Sequence, residues 1–125
     1  MVYDQSGRLF LRSEPNRLLQ QTEAVSRQVI SLSGDEPYNF ALITSGNSDH
    51  AYRYFLEKLN RTPVKLQDSI TKQLIAVCEK PLNECQPLGN PIWEIAGFGR
   101  AEIDTPITVP PGITVYRLIH YNQEL

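Results

Sequence analysis

One stretch, residues 38–59, YNFALITSGNSDHAYRYFLEKL, constrains the fold more than any other. Phe40, Ala41, Leu42 and Ile43 form an unbroken apolar run, which suits a strand covered on both faces. Thr44-Ser45-Gly46-Asn47-Ser48 follows, and such small and polar residues cannot continue a buried strand. Ala51, Tyr52, Phe55, Leu56 and Leu59 then recur at helical spacing, as one apolar stripe. Asn47 or Ser48 is placed to cap that helix, and Asp49 falls in its first turn, where negative charge suits the dipole. The expectation is strand, glycine-containing loop, helix. In open α/β sheets that junction is where ligands usually bind.

A second apolar run, Gln73-Leu74-Ile75-Ala76-Val77-Cys78, reads as another buried strand. Strand, helix and strand over residues 40–78 then make a right-handed crossover joining two parallel strands. Upstream, Ser13-Glu14-Pro15 reads as a helix start. The spacing of Leu18, Thr22, Val25, Val29 and Leu32 predicts a helix over about 15–32, with Ala24 and Ile30 widening the stripe. Ser26 is expected on its polar side, and Gly34 as the residue just past its end. Residues 1–13 hold one short alternating piece, Arg8 to Arg12, and read as an edge strand or a loosely held arm. Downstream, residues 63–72 have no clear period. Residues 79–91 form a proline-bearing loop, and residues 92–96 one or two helical turns that Gly97 and Gly99 break. Residues 101–103 and 113–121 read as an antiparallel pair. The expected fold is a single α/β domain spanning 1–125. It has a small mixed sheet with a central parallel β-α-β unit, flanking helices and an antiparallel C-terminal hairpin. Phe40, Leu42, Phe55, Leu56, Leu74, Ile75 and Val77 are its expected core.

Several function classes are disfavoured. The net charge is −2 with no lysine or arginine cluster, so a nucleic-acid partner is not expected. No apolar run approaches the ~20 residues of a membrane span, and the N-terminus does not read as a signal peptide, so the chain as written is expected to be soluble. Phosphate-loop spacing and its lysine are missing, and no cofactor is expected. His50 with Asp49 or Glu94 forms at most an acid–base pair, with no nucleophile motif beside it, so no catalytic residue is assigned. His50, His120 and the two cysteines match no zinc spacing, so no metal site is assigned. Asp49, Arg53 and Glu57, at i, i+4 and i+8, read as a surface ion-pair ladder. Asn60-Arg61-Thr62 matches the N-glycosylation triplet, a short pattern frequent by chance. Cys78 and Cys85 are either two unlinked thiols, Cys78 being a buried strand-end hydrophobe, or a bridge closing the loop between them, which requires an oxidising compartment.

The candidate ligand-binding residues are Ser45, Asn47, Asp49, His50, Asn90 and Trp93. The loops 45–50 and 87–93 both follow strands expected to be parallel, so both should converge at one sheet edge, as a shallow polar surface with an aromatic floor.

Two segments, YNFALITSGNSDHAYRYFLE at 38–57 and CQPLGNPIWEIAGFGRAEI at 85–103, carry a resemblance. They resemble the soluble C-terminal region of bacterial membrane glycosyltransferases of the protein mannosyltransferase and aminoarabinose transferase superfamily. With the strand between them and the final ITVYRLIHY, the resemblance covers about two-thirds of the chain. It implies an extracytoplasmic, periplasmic or cell-surface domain attached to a membrane enzyme that uses a polyprenyl-phosphate sugar. The family's catalytic carboxylate lies in the membrane portion, which has no counterpart here, so no catalytic residue carries over. What the resemblance implies for this chain is an accessory role. Loops 44–50 and 79–93 would contact a glycan or lipid-linked acceptor, or the membrane portion itself. An extracytoplasmic location would also favour a Cys78–Cys85 bridge. The alternative is a free-standing small-ligand-binding α/β protein with a closed pocket at the 44–50 loop.

Overall fold

In a computed structural model, residues 13–46, 48–110 and 112–121 are described. The expected arm at residues 8–12, the cap candidate Asn47 and the side chain of Leu18 lie outside the described residues. The elements run α1 (Ser13–Ser33), β1 (Asn39–Ile43), α2 (His50–Lys58), β2 (Gln73–Cys78), α3 (Trp93–Phe98), β3 (Ala101–Val109) and β4 (Ile113–His120), with one 3-10 turn at Leu82–Glu84. Together they build a single α/β domain around one four-stranded mixed sheet of order β1-β2-β4-β3. β1 and β2 are parallel, with Phe40 opposite Ile75 and Ile43 opposite Cys78. β4 pairs antiparallel with both β2 and β3. The crossover unit holds the topological centre, but β1 itself lies at the outer edge of the sheet.

Alternation along the strands divides the core in two. On one face Phe40, Ile75, Val77 and Val115 pack against Val25 and Val29 of α1 and Tyr52 and Leu56 of α2. On the other, Ala41, Leu74, Ala76, Tyr116 and Leu118 pack against Ile95 and Phe98 of α3. All six residues of β2 are buried, as expected of a strand covered on both faces and paired on both edges. Leu42 and Phe55, expected in the core, are only half-buried, Leu42 packing at the margin of the cluster beneath α1 and α2. Ala51 is exposed, so the buried stripe of α2 narrows to Tyr52 and Leu56.

The ends of α1 and α2 follow from local chemistry. Gly34 takes φ +64° and donates its N–H to the Ile30 carbonyl, closing α1 as an αL cap. Asn60 plays the same part after α2, at φ 63°. Its N–H reaches Glu57 O while Arg61 N–H reaches Leu56 O, the paired bonds of a Schellman turn. Ser26, expected on the polar side of α1, is buried, and Ala24, expected in the stripe, is exposed. Burial is possible because the Ser26 hydroxyl donates to the Thr22 carbonyl one turn back. At α2 the N-cap is Asp49 rather than Ser48, and it makes no side-chain cap bond.

Two further expectations are corrected. Gly97 does not break α3 but sits inside it, where any Cβ would collide with the Leu66 side chain. Gly99, at φ +100°, is what ends the helix. β3 does not end at residue 103 as expected but continues through Pro106 to Val109. An edge strand tolerates a residue without an N–H, and the register shift between Ile103 and Thr105 absorbs the rest.

The aperiodic residues 63–72 lie along β1, held by the Val64 N–H on the Tyr38 carbonyl and by one buried amide. Asn39 Nδ2 donates to the carbonyls of Val64 and Ser69, and its Oδ1 accepts from the backbone N–H and hydroxyl of Thr71. Every hydrogen-bonding capacity of that amide is used, which removes the cost of burying it.

Leu56 is fully buried between α2 and the sheet. Leu56→Ala should cost about 2–5 kcal/mol, the range for truncating a buried leucine. Urea unfolding of the two proteins measures it, and a loss within experimental scatter would contradict the packing described.

Candidate functional site

Parallel pairing brings the carboxyl ends of β1 and β2 side by side. Glu79, the first residue after β2, donates its N–H to Ile43 O at 2.8 Å. Its carboxylate accepts the Thr44 hydroxyl at 2.8 Å and the Tyr52 hydroxyl at 2.5 Å. Thr44 begins the loop to α2 and Tyr52 lies on the buried face of that helix, so one carboxylate ties strand, loop and helix together. Burial, then the hydrogen bond and negative charge of Glu79, hold the Tyr52 phenol well above its ordinary range. Tyr52 is therefore a neutral donor near neutral pH.

Beside this cluster lies a cleft of about 280 Å³ over the edge of β1. Asp49 and Arg53 of the loop and α2, Lys65 and Gln67 of the edge-covering segment, and Trp93 and Glu94 of α3 line it. Asp49 Oδ2 accepts from Arg53 Nε at 2.7 Å, and the guanidinium carbon stands 5.5 Å from the centroid of the Phe40 ring. The arginine is thus held in place on two sides before any ligand arrives. Trp93 is 57% exposed, with most of its indole open to solvent. Two carboxylates and two cations balance in charge around it.

The six expected ligand residues divide. Asp49 and Trp93 meet in the cleft. Asn90 does not join them. Its amide donates to Gln86 O and accepts from Ile92 N–H, closing the turn before α3, and it lines a separate cavity on the α3 side. Ser45 and His50 are exposed and stand outside the cleft lining, and Asn47 lies outside the described residues. The single convergent surface expected of loops 45–50 and 87–93 is therefore two: the second loop turns away onto α3 before Trp93 comes back to the cleft. Among the described residues the His50 ring makes no hydrogen bond, and the Asp49 carboxylate bonds Arg53 instead, so no His50–Asp49 pair forms. Of the ladder expected on α2, the pair that forms is Asp49–Arg53.

Cys78 and Cys85 are joined as a disulfide, with Cα atoms 6.1 Å apart, so the reading of two unlinked thiols is corrected. Among the described residues no cluster of three or more potential metal ligands occurs. Nor is any described helix long and apolar enough to cross a membrane. Arg53 was legible only as a surface ion-pair partner. Lys65 and Gln67 carried no signal, because their place depends on the Asn39 bonds to a distant segment. Glu79 was visible only as the start of a loop.

The fold and cleft define a small α/β domain with a charge-balanced polar groove and one aromatic wall. Such a surface can bind reversibly by stacking and hydrogen bonding. No family model, curated protein or solved structure matches the chain.

The Tyr52 shift has a pH signature. Its folded pKa is raised, so the neutral phenol adds no pH dependence below the unfolded value of about 10. Above that, the unfolded chain releases the proton while the folded one keeps it, and stability falls as pH rises. Tyr38, likewise raised by burial, adds to the fall. Urea unfolding at about pH 8 and about pH 11 should show the loss, and Tyr52→Phe should reduce it. An identical loss in the variant would contradict the Tyr52–Glu79 arrangement.

Proposed function

We propose that this chain is a non-catalytic accessory domain of a membrane glycosyltransferase, contacting a glycan acceptor through the Trp93 cleft. The carrying observation is the exposed indole of Trp93 in one cleft with the fixed Asp49–Arg53 pair. A sugar ring presents an apolar face for stacking and a rim of hydroxyls that both donate and accept. Trp93 suits the face. Asp49 and Glu94 accept, while Arg53, Lys65 and Gln67 donate, and the balanced charges favour an uncharged ring over a phosphate. The membrane enzyme enters through the resemblance of residues 38–57 and 85–103, and an extracytoplasmic location accords with a disulfide, which oxidising compartments favour. The polyprenyl-linked donor and the catalytic carboxylate belong to the membrane portion in this reading. The cleft is small beside typical ligand pockets of ~300–1,000 Å³, which suits a weak contact that gains strength from tethering.

Trp93 is the chain's only tryptophan, so its emission reports the cleft directly. Titration of the isolated domain with a panel of neutral hexoses and oligosaccharides should shift that emission, with a dissociation constant in the millimolar range. Arg53→Ala should weaken the response while leaving the domain folded. Trp93→Ala in the full-length enzyme should lower transfer to acceptor. No emission change with any sugar, together with unchanged transfer, would overturn the proposal. High affinity for a small molecule by a chain acting alone would instead favour a free-standing ligand-binding protein.

A further inference from the structure

The segment between β2 and α3 is attached to the domain in an unusual way. Among the described residues, the hydrogen bonds of residues 80–91 stay within that segment or reach its immediate neighbour Ile92, apart from a long contact of the Lys80 carbonyl with the bridge sulfur Cys78 Sγ at 3.8 Å. Glu84 N–H bonds Pro81 O, Cys85 N–H bonds Leu82 O, Asn90 Nδ2 bonds Gln86 O, and Ile92 N–H bonds Asn90 Oδ1. Leu82 and Leu88, which would anchor it by packing, are 69% and 45% exposed. Pro87 is buried, and Cys85 and Ile92 pack at the margin of the α3-side core. The only covalent cross-link from the segment to the sheet is Cys78–Cys85. Glu79 is pinned separately by Ile43, Thr44 and Tyr52. Residues 87–91 form one wall of a cavity of about 620 Å³, facing Ala96, Gly99, Arg100 and Tyr121.

We propose that the Cys78–Cys85 bridge is a redox latch on that wall. As a disulfide it holds residues 80–91 on the sheet and shapes the cavity. As a dithiol it releases the segment and opens the cavity, while the rest of the domain stays folded. Cys78 keeps its place without the bridge, because β2 pairs it with Ile43 on one side and Thr114 on the other. The reaction is thiol–disulfide exchange with a dithiol reductant. One thiolate of the reductant attacks Cys85 Sγ, since Cys85 is half-buried and Cys78 is fully buried. Cys78 Sγ leaves as a thiolate and takes up a proton. The second reductant thiol then breaks the mixed disulfide, freeing Cys85 as a thiol and leaving the reductant oxidised. Two electrons pass to the protein, and no other co-reactant is needed.

Hydrogen exchange on the chain tests this without any sugar, so its outcome is separate from that of the glycan proposal. The oxidised protein, the same protein reduced with dithiothreitol, and the Cys85→Ser variant are compared. Amides within residues 82–90 should exchange at least about tenfold faster in the reduced and variant forms. Amides of 74–77 in β2 and 115–118 in β4 should hold their protection. Unchanged exchange in 82–90 would overturn the latch, because packing alone would then hold the segment. A common rise across the sheet would overturn it as well, because the bridge would then be a staple for the whole fold.

Discussion

The parallel pairing of β1 with β2 is the constraint on which the rest of the structure depends. It joins residues more than thirty positions apart, Asn39 to Leu74 and Ile43 to Cys78. Because the strands are parallel, their carboxyl ends share one edge, and that brings Thr44 and Glu79 within hydrogen-bonding distance. The same pairing puts Asn39 and Gln73, both buried, at the amino ends of the strands. Asn39 gathers the segment that covers the edge of β1. Gln73 donates to the carbonyls of Ser33, Glu36 and Pro37 and accepts from Arg117 Nε, which in turn reaches Asp104 of β3. One polar side chain thus links the end of α1 to three strands. Both amides are themselves buried, and their burial is offset because their donors and acceptors are used.

Much of the architecture was legible in the sequence. The runs at 40–43 and 73–78 are short, continuous and apolar, and such runs between polar loops leave little choice but buried strands. The helices showed through their spacing, and Gly34 marked the end of α1. What was not legible depended on distant partners. Ser26 is buried because a hydroxyl can turn back to its own helix, a choice that composition does not reveal. Gly97 looked like a breaker, and only the approach of Leu66 explains it within a helix. The strand expected at 101–103 runs on through Pro106 because β3 is an edge strand.

The candidate site shows the same division. Strand–loop–helix logic pointed to the carboxyl edge of the sheet, whereas the cleft that holds Asp49 and Trp93 lies along the outer edge of β1. It failed for Asn90, whose amide serves the turn leading into α3. It also passed over Lys65 and Gln67, whose segment is held beside β1 by the buried Asn39, the Val64–Tyr38 backbone bond and the buried Leu66. A groove built this way joins three elements remote in sequence, and its shape depends on the sheet rather than on any one motif. The fixed Arg53 and the open indole of Trp93 are the groups that the proposed contact with a hydroxyl-rich ring would use.

A map of backbone amide shifts on adding a neutral oligosaccharide tests this account most directly. The account predicts that the changes centre on Asp49, Arg53, Lys65, Gln67, Trp93 and Glu94, three separate stretches that only the folded sheet brings together. Shifts centred on Asn90, Arg100 and Tyr121 around the other cavity, or none at all at high sugar concentration, would contradict it.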